Sequence, residues 1–168
     1  MTPPKRPPFI AHYADLLKSY SRAPAGMEGA GARFGQRFGL KRIGINLEVL
    51  PPGTRSSHPH AEKLEEEFVY VLEGTPDVWI DGVLYPLNPG DGVGFPAGTG
   101  IAHSFLNNSD ADVHLLIVGE HQVEGNQLNY PLNPERMESF RQRNRAWLDA
   151  PVRELGPHDG QARRGTRR

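Results

Sequence analysis

The chain has 168 residues, with 19 Lys and Arg against 20 Asp and Glu, and it contains no cysteine. That length is enough for one domain with its own core, and a net charge of -1 gives no electrostatic reason to expect nucleic acid or an anionic membrane as partner. The lack of cysteine excludes disulfides, thiolate catalysis and zinc–thiolate sites.

Glycine (19) and proline (16) are abundant, as in an all-β protein with many turns. The first residues, MTPPKRPPFIAHYADLL, lack the apolar run of a signal peptide. No apolar run approaches a membrane span, so a cytoplasmic protein is expected. Residues 1–8 are proline-rich and read as extended or disordered. Ile10, Tyr13, Leu16, Leu17 and Tyr20 recur at helical spacing, which predicts a short helix. Residues 23–39 are glycine-rich and read as a loop, with a weak strand from Arg33 to Phe38.

Strand patterns follow. In RIGINLEVL, Ile43, Ile45, Leu47 and Val49 share one face. Asn46, on the other face, either lines a cavity or meets solvent. The run FVYVLEG is rich in β-formers. DVWIDGVLYPL reads as a hairpin, because Asp81-Gly82 supplies the positive φ angles of a two-residue turn. Val93 and Phe95 alternate within a string of turn signals. HSFLNNS and DVHLLIVGE complete the set, with Val113, Leu115 and Ile117 on one face. Short strands separated by turns argue for a β-sandwich or barrel.

After Val123, Asn133 is a candidate N-cap, with Pro134 and Glu135 in the first turn. Met137, Phe140, Asn144, Trp147 and Leu148 form one stripe, predicting a helix over 134–149 that packs on the barrel or on a second subunit. The residues from Pro151 read as a polar tail ending in basic RRGTRR. The resulting division is an arm over 1–39, a barrel over 40–122, a segment with a helix over 123–150 and a flexible tail over 151–168.

One stretch carries candidate chemistry. If SSHPHAEKLEEEFVYVLEG is extended over 58–62, His58, His60 and Glu62 point one way. An antiparallel return would then set Glu67 opposite Glu62 and His60, and converging imidazoles and carboxylates make a metal site. The aromatic residues Tyr70, Trp79, Phe95 and Phe105 are barrel residues that pack the core or complete a pocket. Lys41, Arg42 and Arg55 are cations able to reach an anionic ligand. His114 and His121 read as surface or edge residues.

Downstream, Gly90, Pro96, Gly98, His103 and Asn107 fall in the pattern Gly-x5-Pro-x-Gly-x4-His-x3-Asn. With PPG and EEFVYVLEG before it, this resembles the paired motifs of the cupin superfamily over about residues 40–120, and in particular its small single-domain bacterial members. The resemblance implies an all-β jelly-roll barrel, the double-stranded β-helix, with a divalent metal held inside. It also implies dimerisation through barrel edges, for which the edge strands, arm and C-terminal helix offer surfaces.

Counting back from Gly74 places the motif glutamate at Glu67 and puts Glu62 where the family has its second histidine. The implied ligands are His60, Glu62, Glu67 and His103. A rival register keeps His58 and His60 as the histidine pair, with Glu65 as the acid. The first register preserves strand length and alternation, and a half-buried strand is not free to slip by one residue. Four residues separate Gly98 from His103 where the family pattern has two, an expanded loop. Two imidazoles with two carboxylates favour manganese, iron or zinc over copper. The function implied is a metal-binding barrel that binds or acts on a small polar metabolite, sugar-like or anionic. The alternative is a metal-free ligand-binding or structural barrel.

Overall fold

The computed structural model describes residues 6–20, 24–121 and 123–166. The expectations for residues 1–5, for residue 23 and for the last two arginines lie outside them.

Eleven strands and three short helices are present among the described residues. In the arm, α1 (Tyr13–Leu16), β1 (Lys18–Ser19), β2 (Ala30–Arg33) and α2 (Phe34–Phe38) come first. The barrel proper contributes β3 (Ile43–Leu50), β4 (Ala61–Glu62), β5 (Glu67–Glu73), β6 (Asp77–Ile80), β7 (Val83–Pro86), β8 (Gly92–Phe95), β9 (His103–Leu106) and β10 (Val113–Glu120). β11 (Leu128–Asn129) and α3 (Pro134–Gln142) follow.

One sheet runs β1-β2-β3-β10-β5-β8 and a second runs β7-β6-β9, with β11 paired to β4. Backbone bridges from Arg55 to Leu106 and from His60 to His103 lay residues 55–60 along β9. Two facing antiparallel sheets of this kind enclose a common core, the jelly-roll barrel that the strand spacing predicted. The core holds Leu50, Val69, Val71, Val78, Phe95, Phe105, Val113 and Leu115. Burial of each such side chain contributes about 1.5–3 kcal/mol. The β6–β7 turn has Asp81 at φ 45° and Gly82 at φ 87°, the two-residue geometry expected for Asp-Gly. No helix among the described residues is long and apolar enough to cross a membrane.

Local reading fails where pairing partners decide. The helix expected from Ile10 to Tyr20 is a single turn, α1, because Lys18 and Ser19 pair with Gly31 and Ala30 instead. The strand expected over Arg33 to Phe38 is α2. There, Phe34 and Phe38 stack at 6.0 Å, and Gly39 closes the turn at φ 69°. The helix expected over 134–149 stops at Gln142. Asn144 turns at φ 54°, and Trp147 N–H donates to Leu128 O at 2.8 Å, so the chain leaves the helix to pair with the barrel. Trp147 is buried while Leu148 is 60% exposed, so the two do not share one stripe.

The N-cap expectation holds: Asn133 Oδ1 accepts from Arg136 N–H at 2.9 Å. Asn133→Ala is expected to lower stability by about 1 kcal/mol. Urea denaturation would check this, and an unchanged midpoint would contradict it.

The tail read as flexible is instead a strap. Gly156 N–H donates to Asp81 O at 2.7 Å, and Trp79 Nε1–H donates to His158 O at 2.8 Å. Arg55 donates to Gly160 O at 2.7 Å, and Arg163 N–H donates to Asn108 Oδ1 at 2.7 Å. Polar composition misled here because backbone groups and buried partners, not apolar side chains, hold the strap down.

Candidate functional site

The inward face of the large sheet follows from its register. β10 sets Leu115 opposite Glu48 and Ile117 opposite Asn46. It also sets Leu115 opposite Val71, Ile117 opposite Val69 and Gly119 opposite Glu67. Directly paired residues share a face, so Asn46, Glu48, Leu50, Glu67, Val69 and Val71 all look into the barrel. The apolar face of β3 is the outer one: Leu47 and Val49 pack with Ala32, Tyr13, Leu16 and Phe34 of the arm. Asn46 therefore lines a cavity, the first of its two sequence alternatives.

That cavity has a volume of about 770 Å³ and is lined by residues including Tyr20, Arg33, Lys41, Asn46, Glu48 and His121. Arg33 and Lys41 are exposed at its rim. His121, read as a surface residue, borders it. Tyr20 reaches Glu48 from the arm, its hydroxyl donating to Oε1 at 3.2 Å. A Cβ at Gly31 would collide with the Tyr20 hydroxyl, so glycine leaves the space that the ring fills. Glu48 Oε2 is shielded from solvent and has no hydrogen-bond partner among the described residues. Burial, with a smaller contribution from the charge of Glu67, pushes the Glu48 carboxyl up to about 7.

The four implied ligands gather on the inner side as two pairs. His103 Nε2 lies 3.2 Å from Glu67 Oε1, and His60 Nε2 lies 3.7 Å from Glu62 Oε1. The two imidazole centroids are 5.1 Å apart. His60 Nδ1 lies 2.9 Å from His58 O, which fits a proton on Nδ1 and turns Nε2 toward Glu62. His103 stacks on Phe95 at 3.5 Å, and its Nδ1 is buried without a partner among the described residues.

Burial depresses His60, but Glu62, Glu67 and the His58 carbonyl outweigh it and hold its pKa above the usual value. Burial likewise raises Glu67, but His103 and His60 outweigh it and hold its pKa below the usual value. The donor set, two imidazoles and two carboxylates, fits a divalent ion in kind. As placed, no group of three or more His, Cys, Asp or Glu side chains able to hold an ion occurs among the described residues.

Glu67 does not reach this place by the antiparallel return predicted from sequence. β4 pairs with β11, while β5 lies between β10 and β8. Glu67 meets His103 across the barrel interior. The rival ligands stand elsewhere. His58 Nδ1 lies 3.0 Å from Arg55 Nη2, outside the extended geometry that would align it with His60. Glu65 accepts from Val123 N–H at 2.8 Å. Arg55 is buried and committed to Gly160 and His58, so it is not a free cation for a ligand.

Among the aromatics, Phe95 and Phe105 are core residues. Trp79 packs under the strap with Trp147, and Tyr70 faces outward, 37% exposed. Sequence reading missed Glu48, Tyr20 and Arg33. The one available signal was that Glu48 shares the polar face of β3 with Asn46.

A sequence profile described as "Cupin domain" matches residues 46–119. A solved structure from Silicibacter pomeroyi, named sugar phosphate isomerase from a cupin superfamily, is 32% identical with a TM-score of 0.63, covering 70% of this chain and 78% of that one. Another, from Acidithiobacillus ferrooxidans and provisionally named sugar phosphate isomerase, is 29% identical with a TM-score of 0.67, covering 74% of this chain and 81% of that one. "Polyketide synthase CurC" of Streptomyces cyaneus is 35% identical over 72 residues, 43% of this chain and 45% of that protein. The chain spans about half the length of the curated relatives it matches. This chain belongs to the cupin superfamily, and its barrel is a cupin jelly roll.

Proposed function

We propose that this cupin binds a small, hydroxyl-rich anionic metabolite of the sugar-phosphate class in the cavity beside β3. The observation that carries the reading is the lining of that cavity: exposed Arg33 and Lys41 at the rim, with Asn46 and Glu48 deeper. Guanidinium and ammonium groups suit a phosphate, and amide and carboxyl groups suit hydroxyls. The sugar phosphate isomerase names of the two solved relatives point to the same ligand class.

Thermal melting and calorimetry with sugar phosphates, and with the same sugars unphosphorylated, test it. Phosphorylated ligands are expected to raise the melting temperature, and Arg33→Gln to weaken them roughly tenfold, equivalent to about 1.4 kcal/mol. If no sugar phosphate binds the wild-type protein, the reading fails.

The same proposal includes a divalent ion, manganese, iron or zinc, held by His60, Glu62, Glu67 and His103. Such an ion would polarise ligand oxygens. The contact of His60 Nδ1 with the His58 carbonyl, which turns Nε2 toward Glu62, supports it. A metal-free reading rests on the two separate pairs, in which Glu67 satisfies His103 instead of an ion. Elemental analysis after incubation with each metal separates the two. Bound metal that falls in Glu67→Gln supports the site, and none above background favours the metal-free barrel.

A further inference from the structure

We propose that Glu48, steadied by Tyr20, is the acid–base residue of this cavity, moving a proton between adjacent carbons of a phosphorylated hydroxy-carbonyl compound. The inference rests on the ligand reading above and adds a reaction to it.

Three observations place Glu48 in this role. It is a carboxyl group in the lining of a cavity large enough for a sugar phosphate. One of its oxygens accepts from the Tyr20 hydroxyl, and the other is buried without a partner among the described residues. A carboxyl left half-satisfied in a shielded place is costly to keep for packing alone. The arm also brings Tyr20 over a glycine, Gly31, where any side chain would displace the tyrosine ring. The arm therefore supplies the residue that orients the carboxyl.

The charged and titratable groups around Glu48 are Tyr20 from the arm, Arg33 from β2 and Glu67 from β5. Across β10 its paired neighbour is apolar Leu115. Burial dominates this setting and leaves both protonation states of Glu48 accessible near neutral pH, the condition for passing a proton in both directions.

The step balances without an oxidant or a second reactant. Glu48, ionised, takes the proton from the hydroxyl-bearing carbon beside the carbonyl. The released C–H electron pair forms the double bond of an enediolate, and the carbonyl oxygen becomes a hydroxyl by taking the proton of the neighbouring hydroxyl. Glu48 then returns its proton to the former carbonyl carbon, and the oxygen that gave up its proton becomes the new carbonyl. Tyr20 stays protonated throughout and serves as a positioning residue; burial and Glu48 both push its phenol pKa upward.

The test incubates the full-length wild-type protein in deuterium oxide with aldopentose 5-phosphates and aldohexose 6-phosphates, and reads deuterium at the carbon beside the carbonyl by mass spectrometry. Wild-type protein is expected to incorporate deuterium into a compound that it binds. Glu48→Gln should slow exchange at least 100-fold at saturating ligand. Glu48→Asp, which keeps a carboxyl, should exchange faster than Glu48→Gln. Tyr20→Phe should move the rise of exchange to higher pH, because the lost hydrogen bond had been lowering the Glu48 pKa; a purely structural tyrosine would leave the pH profile in place. Binding without exchange by the wild-type protein overturns this inference and leaves the ligand reading standing. Exchange by Glu48→Gln at the wild-type rate, in a variant that melts like wild type, also overturns it. Failure of the wild-type protein to bind any of these phosphates overturns both.

Discussion

Trp79→Ala is expected to destabilise the protein by about 3–5 kcal/mol, the range for removing a large aromatic from a packed interior. Trp79 has no exposed surface. Its ring packs with Ala61, Ala102, Leu106 and Trp147. Its indole N–H is also the donor that the His158 carbonyl accepts at 2.8 Å. Truncation removes the packing and releases the strap at one of its anchors. In a chain of this size the melting temperature should fall by roughly 6–20 °C. Trypsin should cut more readily after Arg153, Arg163 and Arg164, which lie on the strap. Trp79→Phe separates the two effects: it keeps most of the volume and loses only the hydrogen bond. Equal protease resistance in wild type and Trp79→Ala would mean that the strap holds without this anchor.

The second large effect concerns pH. Burial holds the Glu48 carboxyl near 7 in the folded protein against an ordinary 4.5. The folded state therefore binds a proton more tightly than the unfolded one. The resulting stability is full below the unfolded value, is lost as pH rises from about 4.5 to 7, and stays lost above that. The difference amounts to about 3 kcal/mol. Glu48→Gln cannot ionise. Relative to wild type it should gain up to about 3 kcal/mol between pH 4.5 and pH 8, measured as the change in unfolding free energy from urea titrations at the two pH values. The same offset at both pH values would show that Glu48 titrates in the folded protein as it does in the unfolded chain.

The features legible in the sequence were local ones. Asp81-Gly82 marks a two-residue turn by its own backbone preference, and both residues have positive φ. Asn133 and Pro134 mark a helix start by their capping chemistry. The alternation of Val113, Leu115 and Ile117 marks an inward face of β10, where Val113 and Leu115 are fully buried. The count from Gly74 selects His60 and Glu67, and both face inward beside His103. Each of these depends on neighbours a few residues away or on a spacing shared with a family of barrels.

Other features depend on partners distant in the chain. β3 is buried on both faces, so its alternation names two faces without saying which lines the cavity. The arm covers Leu47 and Val49 and turns Asn46 and Glu48 inward, and only its docking settles that. The chain beyond Gln142 leaves its helical stripe because Trp147 gains a backbone partner at Leu128 and a place in the core. The polar strap is held by carbonyls that accept from Arg55 and Trp79, about 100 and 79 residues earlier, donors that composition does not reveal. The sequence alone thus determined the barrel and its turns, because these follow from strand period and turn chemistry, while the motif count named His60, Glu62, Glu67 and His103 without fixing how they pair. The tertiary structure alone decided the cavity, its carboxyl at Glu48 and the tyrosine that orients it, because a strand buried on both sides takes its inner face from what packs against the outer one.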